Sequence, residues 1–247
     1  MSSVASQFED QLELLRTEAE GAVQFFYAWD ATHAAAARDK NIFNLLNEAP
    51  LFWNTMLGAL QATTLVTLGR LFDPNTANHS ATRLLTLAHA NPSLFTKAAL
   101  ADRKRALSPN ADEWLPAYLL SAHEPVSEDF RRLKAHLDKR RKTYEAIYKP
   151  LRHQVFAHRA VTTKAEVGAL FAKTNLRELR ELLVFLPRIH ETLWQLYFNG
   201  QKPRLRPARS SIDKILDLPS PRARGGQLQV RMAHEAGEFL KRHSRDA

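Results

Sequence analysis

From Val4 to about Arg38, apolar residues return every three or four positions, at Phe8, Leu12, Leu15, Ala19, Ala22, Phe26 and Trp29. That interval is the period of one helical face, so the chain opens with a long amphipathic helix whose stripe must be covered by other helices. Composition points the same way: 45% of the 247 residues are hydrophobic, Ala and Leu recur throughout, and there are only 8 Gly and 12 Pro. Such a balance favours helices over sheets. An all-α fold follows, with one main domain long enough to bury a core of its own.

A short helix is expected over 42–46. Pro50 then opens a very apolar segment, 51–72, that ends at Asp73-Pro74; a segment of that kind belongs in the middle of a bundle. Short helices near 81–89, 93–105 and 112–121 are separated by breaks at Asn91-Pro92 and Ser108-Pro109. Ser127 is placed to cap a helix that turns Phe130, Leu133, Leu137 and Tyr144 inward, with Glu128 and Asp129 in its first turn. Pro150 removes a backbone donor and crowds the preceding turn, so this helix should bend or restart near Lys149. Thr163 with Glu166 forms a capping box, and Asn175 with Glu178 a looser one before a long helix that Gly200 and Pro203 stop, with a kink expected at Pro187.

Beyond Gln201 the chain becomes a basic linker, with Lys202, Arg204, Arg206, Arg209, Arg222 and Arg224 among Pro, Ser and Gly. A last helix over 227–243 carries Leu228, Met232, Ala236, Phe239 and Leu240, enough to dock but too few to fold alone. The domain division read from this pattern is 1–200 for the main helical domain and 201–247 for the basic tail.

Charge is unevenly placed. The formal net charge is +9, yet the first fifty residues are acidic, while residues 131–159 hold ten Lys/Arg against only Asp138 and Glu145. Concentrated positive charge attracts polyanions; a solvated helical face is its plainer explanation. No cysteine is present, which excludes disulfides, thiolate nucleophiles and cysteine zinc sites. The N-terminus lacks the pattern of a secretory signal, and no run of about 18 apolar residues follows, so a soluble, cytoplasmic chain away from membranes is expected.

Candidate chemistry narrows quickly. No histidine spacing suits a zinc site, no Gly-rich loop suits a bound nucleotide phosphate, and the acidic pairs have the spacing of solvent-facing helix residues. No metal and no cofactor is expected. Arginine can hold phosphate charge and histidine can move a proton near neutral pH. Arg followed by His five or six positions later occurs three times. Arg83/His89 fits a helix end and Arg131/His136 a charged face. Arg152/His158 differs, because it follows the Pro150 break, includes His153, and has Val155, Phe156 and small Ala157 between its ends. Residues six apart on an ideal helix point about 120° apart, so Arg152 and His158 come together only through a bend or through a second subunit. The aromatic residues Phe52, Trp53, Phe72 and Trp194 read as core, since they sit in apolar-periodic helices.

The run from Arg152 to His158 resembles the signature of the HEPN superfamily of helical nucleotide-binding and ribonuclease domains. Residues 65–73, Leu-Val-Thr-Leu-Gly-Arg-Leu-Phe-Asp, followed by residues 80–85, are similar to the region preceding that signature in the AbiU-type branch of abortive-infection proteins. The resemblance covers roughly residues 1–200. It implies a HEPN-like helical bundle with extra short helices, a homodimer with a composite active site, and RNA cleavage without metal. Arg152 and His158 would be catalytic, while Lys149, His153, Arg159, Arg140, Arg141 and Lys142 would bind RNA. An antitoxin or defence-system partner is a further expectation. The alternative is a non-catalytic nucleotide-sensing or interaction module. A DNA-binding regulator using the tail fits less well, because four prolines leave it little room beyond its last helix.

Overall fold

The computed structural model describes residues 3–157, 163–219 and 226–244. Every regular element among them is helical. The principal helices are α1 (Val4–Arg38), α2 (Lys40–Glu48), α3 (Pro50–Leu71), α4 (Ala81–Ala90), α5 (Lys97–Leu107), α6 (Ala111–Ser121) and α7 (Ser127–Thr143). Then come α8 (Lys149–Leu151), α9 (Lys164–Ala172), α10 (Leu176–Asn199), α11 (Ile212–Leu216) and α12 (Leu228–His243). No helix among the described residues is long and apolar enough to cross a membrane.

The chain forms two compact units whose boundary runs through α1, α3 and α10. One comprises Met1–Thr17, Arg70–Thr143 and Phe185–Arg206, the other Glu18–Gly69, Tyr144–Val184 and Pro207–Ala247.

The first unit is built on aromatic packing. Phe8 meets Phe95 edge-on at 5.3 Å and Tyr197 at 4.8 Å, and Phe95 meets Phe130 at 5.3 Å. Arg103 lies 3.8 Å over the Tyr197 ring and donates to the carbonyls of Leu94 and Tyr197, so its charge is held by a π face and by backbone. The segment expected as one helix over 93–105 is two elements, a 3₁₀ turn (Pro92–Phe95) and α5, because Thr96 accepts from Ala99 N–H and starts a new helix. Helix α7 does bury Phe130, Leu133, Leu137 and Tyr144. Its first turn is organised differently from expectation: the Asp129 carboxylate takes the Val126 N–H at 3.1 Å, and Ser127 instead pairs with His89 at 2.9 Å. Gly200, at φ +58°, ends α10 as the left-handed cap that glycine adopts at least cost.

In the second unit α1, α3 and α10 supply the buried side chains Phe26, Tyr27, Leu65, Leu68, Leu182 and Leu183. Asp30 and Arg180 form a two-pronged ion pair there, at 2.7 and 2.8 Å. The capping box at Thr163 and Glu166 is present, and the Asn175 side chain accepts from Arg177 and Glu178 N–H. Helix α3 departs from its reading as a central helix. Thr64 to Phe72 is largely buried, but Leu51 is 82% exposed and Phe52 57%, with Met56 also exposed. An apolar stretch identifies a surface that could be buried without saying that a neighbour covers it. Phe52 and Trp194 are therefore exposed, Phe72 is core and Trp53 is half-buried.

The final helix docks within the second unit, Leu240 joining Ala35 and Ile42 in one cluster. The buried seam is Val230, Ala233 and Leu240, with Gln229 and His234 beside it. Of the residues expected on that face, Leu228, Met232 and Ala236 are half-buried and Phe239 is exposed. The preceding linker is tied down by the Tyr27 hydroxyl, which donates to the Ser210 carbonyl at 3.0 Å, and α11 by Arg38, which pairs with Asp213 and Asp217.

Candidate nucleic-acid site

Beyond α7 the helical path changes register. Tyr144–Tyr148 is a π turn, α8 is a single α turn, and Arg152–Ala157 is a second π turn. Pro150 accounts for the disturbance, since it cannot donate the bond an α-helix would require of it. A π turn inserts an extra residue and moves the following side chains around the axis, a device that recurs at functional sites. The expected break near Lys149 is thus a change of hydrogen-bond register.

Buried aromatic and aliphatic residues hold this run in place. Tyr148 and Leu151 are fully buried. The Tyr148 hydroxyl donates to the Asn175 carbonyl at 2.7 Å, and Phe156 packs edge-on against Phe171 at 6.3 Å. A recess lined by Trp29, Gln61, Leu65, Tyr148, Leu151 and Phe171 has about 40 Å³ of free space. A volume of that size is on the scale of ordered water and not of a nucleobase.

Arg152 follows directly. It is half-buried, its Nε is shielded from solvent, and that Nε meets no acceptor among the described residues. The side chain lies against Gly69 of α3: a Cβ at that position would stand 2.6 Å from Nε and 2.7 Å from Cδ and Cζ. The part of Arg152 packed there is thus its far end, the last methylene together with the guanidinium Nε and Cζ.

Lys149, Arg152 and His153 share this run, with Lys149 exposed and His153 half-buried. His158 and Arg159 lie outside the described residues. Arg140, Arg141 and Lys142 occupy the last turn of α7 in the first unit. Arg141 is paired with Asp138 at 2.9 Å, so part of its charge is answered within its own helix, and Lys142 is exposed. The other two Arg/His pairs have different surroundings. Arg83 donates to the carbonyls of Thr76 and Ala77, and His89 pairs with Ser127; Arg131 pairs with Glu128, and His136 is exposed.

Two residues of interest have only weak sequence signals. Gly69 is an isolated glycine inside a helix, which marks a close approach without naming what approaches. Arg188 of α10 follows Pro187 and looks like any surface cation. Burial lowers its pKa, the Arg140 charge adds to that, and its Nε meets no acceptor among the described residues. Among the described residues no three His, Asp or Glu side chains gather in a way that could hold a metal ion.

The family model for AbiU2 matches residues 5–217, past the limit near residue 200 expected of the resemblance. No curated protein and no solved structure matches the chain. With Gly69, Arg152 and the whole basic stretch inside the matched span, the chain belongs to the AbiU2 family of HEPN domains, an abortive-infection-related family among domains that are typically ribonucleases.

Proposed function

We propose that this chain is a metal-independent endoribonuclease that acts as a toxin or anti-phage effector in abortive infection. The observation that supports this most is Arg152, a guanidinium held against Gly69 by packing, with its Nε meeting no acceptor among the described residues. That Nε is shielded from solvent, so a phosphate oxygen is met by the terminal guanidinium nitrogens, the pair that arginine offers to such an anion.

In the proposed reaction His158 removes the proton of a ribose 2′-hydroxyl. The 2′-oxygen then attacks the adjacent phosphorus, and the bond from phosphorus to the 5′-oxygen breaks. Arg152 stabilises the negative charge that grows on the phosphoryl oxygens. His158 of a second copy protonates the departing 5′-oxygen, so the products are a 2′,3′-cyclic phosphate and a free 5′-hydroxyl. Lys149, His153 and Arg159 position the substrate, and Arg140, Arg141 and Lys142 hold its backbone by charge. The unit of action is a homodimer, restrained in the cell by an antitoxin or another defence-system partner.

The test is incubation of the purified protein with mixed RNA in EDTA, beside Arg152→Ala and His158→Ala variants shown to be folded. Cyclic-phosphate products from the unaltered protein, lost in both variants, are expected. Activity that needs a divalent metal, or that persists in both variants, excludes the mechanism. Saturable binding without product supports the non-catalytic sensing module instead. Light scattering should give a dimer at micromolar concentration, and a monomer overturns the shared site.

A further inference from the structure

We infer that Gly69 is a positioning residue for Arg152: the missing side chain on α3 forms the notch that sets where the guanidinium sits. The inference rests on the nuclease reading of Arg152 and adds to it a second residue, 83 positions earlier in the sequence.

The argument is steric. Helix α3 runs uninterrupted through residue 69, and Gly69 is buried, so no turn or unusual backbone conformation calls for glycine there. Glycine inside a helix is otherwise a poor choice compared with alanine. What the position does require is room, because Nε, Cδ and Cζ of Arg152 all lie within 2.7 Å of where a Cβ would stand. The crowded atoms belong to the far end of a long, flexible side chain. An alanine at 69 is therefore accommodated by moving Arg152, while the helix keeps its path. On the same helix, a Cβ added at Gly58 would meet nothing within 4 Å, which makes that position the matched control.

The same geometry separates a positional role from a merely structural one. A fold defect would lower the melting temperature and affect every property together. A displaced guanidinium leaves the fold and the charge intact and removes only transition-state alignment. A misplacement of about 1 Å can cost about 100-fold in rate.

The experiment compares Gly69→Ala, Gly58→Ala, Arg152→Ala and the Gly69→Ala/Arg152→Ala double variant in the full chain. It measures kcat and KM on a defined RNA, the melting temperature, and the NMR resonance of the Arg152 Nε–H group, assigned by its loss in Arg152→Lys. Gly69→Ala should lower kcat by about 100-fold with KM within about twofold, move the Arg152 resonance, and leave the melting temperature unchanged or raised. Gly58→Ala should do none of this, and the double variant should match Arg152→Ala. Wild-type kcat in Gly69→Ala overturns the positioning role. A loss of melting temperature that persists when Arg152 is also removed overturns it too, by placing the clash on the helix. Wild-type kcat in Arg152→Ala overturns the nuclease role of Arg152, and the resonance shift then reports separately on whether Gly69 seats it.

Discussion

The Tyr148 hydroxyl donates to the Asn175 carbonyl at 2.7 Å and accepts the Asn175 N–H at 3.3 Å. One side chain thus ties the first π turn to the residue that caps α10. Tyr148→Phe keeps the buried ring but leaves both backbone groups of Asn175 without this partner. Each hydrogen bond is worth about 1 kcal/mol, with up to about 3 kcal/mol where a buried group is stranded. Urea unfolding should show a loss of about 1–3 kcal/mol. The pH dependence identifies the cause. Burial pushes the Tyr148 phenol up to about 12, above the usual value near 10. A raised folded pKa contributes stability that is fully present below the unfolded pKa and is lost as pH climbs through the folded one. The gap between wild type and Tyr148→Phe should therefore be constant below about pH 10 and narrow between about pH 10 and 12. A gap that does not change with pH would assign the loss to packing alone. Tyr197, also pushed up by burial to about 12, contributes an alkaline slope common to both proteins.

Asp30 and Arg180 sit 150 residues apart in sequence and meet through two hydrogen bonds, with only 4% and 16% of their side chains exposed. The hydrogen bonds that Arg180 donates to Asp30 raise the Arg180 pKa, and burial opposes that. Removing one partner leaves a charge that the surroundings cannot solvate, which costs about 3–5 kcal/mol. Asp30→Ala and Arg180→Ala should each lower stability by that order. A double Asp30→Leu/Arg180→Met variant, having no buried charge, should recover most of the loss. Thermal unfolding of the three proteins checks this, and additive losses would show that the two residues act independently.

The legible parts of this fold are those that local chemistry decides. The bounds of α1 follow from its apolar stripe, the Thr163 cap from a spacing of three, and the disturbance near Lys149 from Pro150. The π register is not readable, because a sequence marks a missing donor but not which carbonyl the next donor chooses. The partner of Gly69 is equally hidden, since nothing local connects it with Arg152. Burial is illegible where apolar residues outnumber the surfaces that cover them. Leu51 and Phe52 are exposed at the start of α3, and on α12 the docked face takes Gln229 and His234 while Phe239 faces outward. Context alone sets Arg152 apart from the other Arg/His pairs in the sequence, and that context says nothing of the packing against Gly69.

Arg188 carries the last prediction. Burial depresses its pKa, the positive charge of Arg140 is the second cause, and no acceptor meets its Nε among the described residues. A half-buried cation beside another cation is costly for an isolated protein and favourable once an anion arrives. If RNA phosphates supply that anion, Arg188→Ala removes one phosphate contact without disturbing the fold. Binding of a non-cleavable RNA should weaken, and the slope of log K against log salt should become shallower by about 0.7, the value for one contact with a single strand. Stability in the absence of RNA should hold or rise, because a charge buried beside a like charge has been removed. An unchanged salt slope in Arg188→Ala, with the protein folded, would exclude Arg188 from the RNA path.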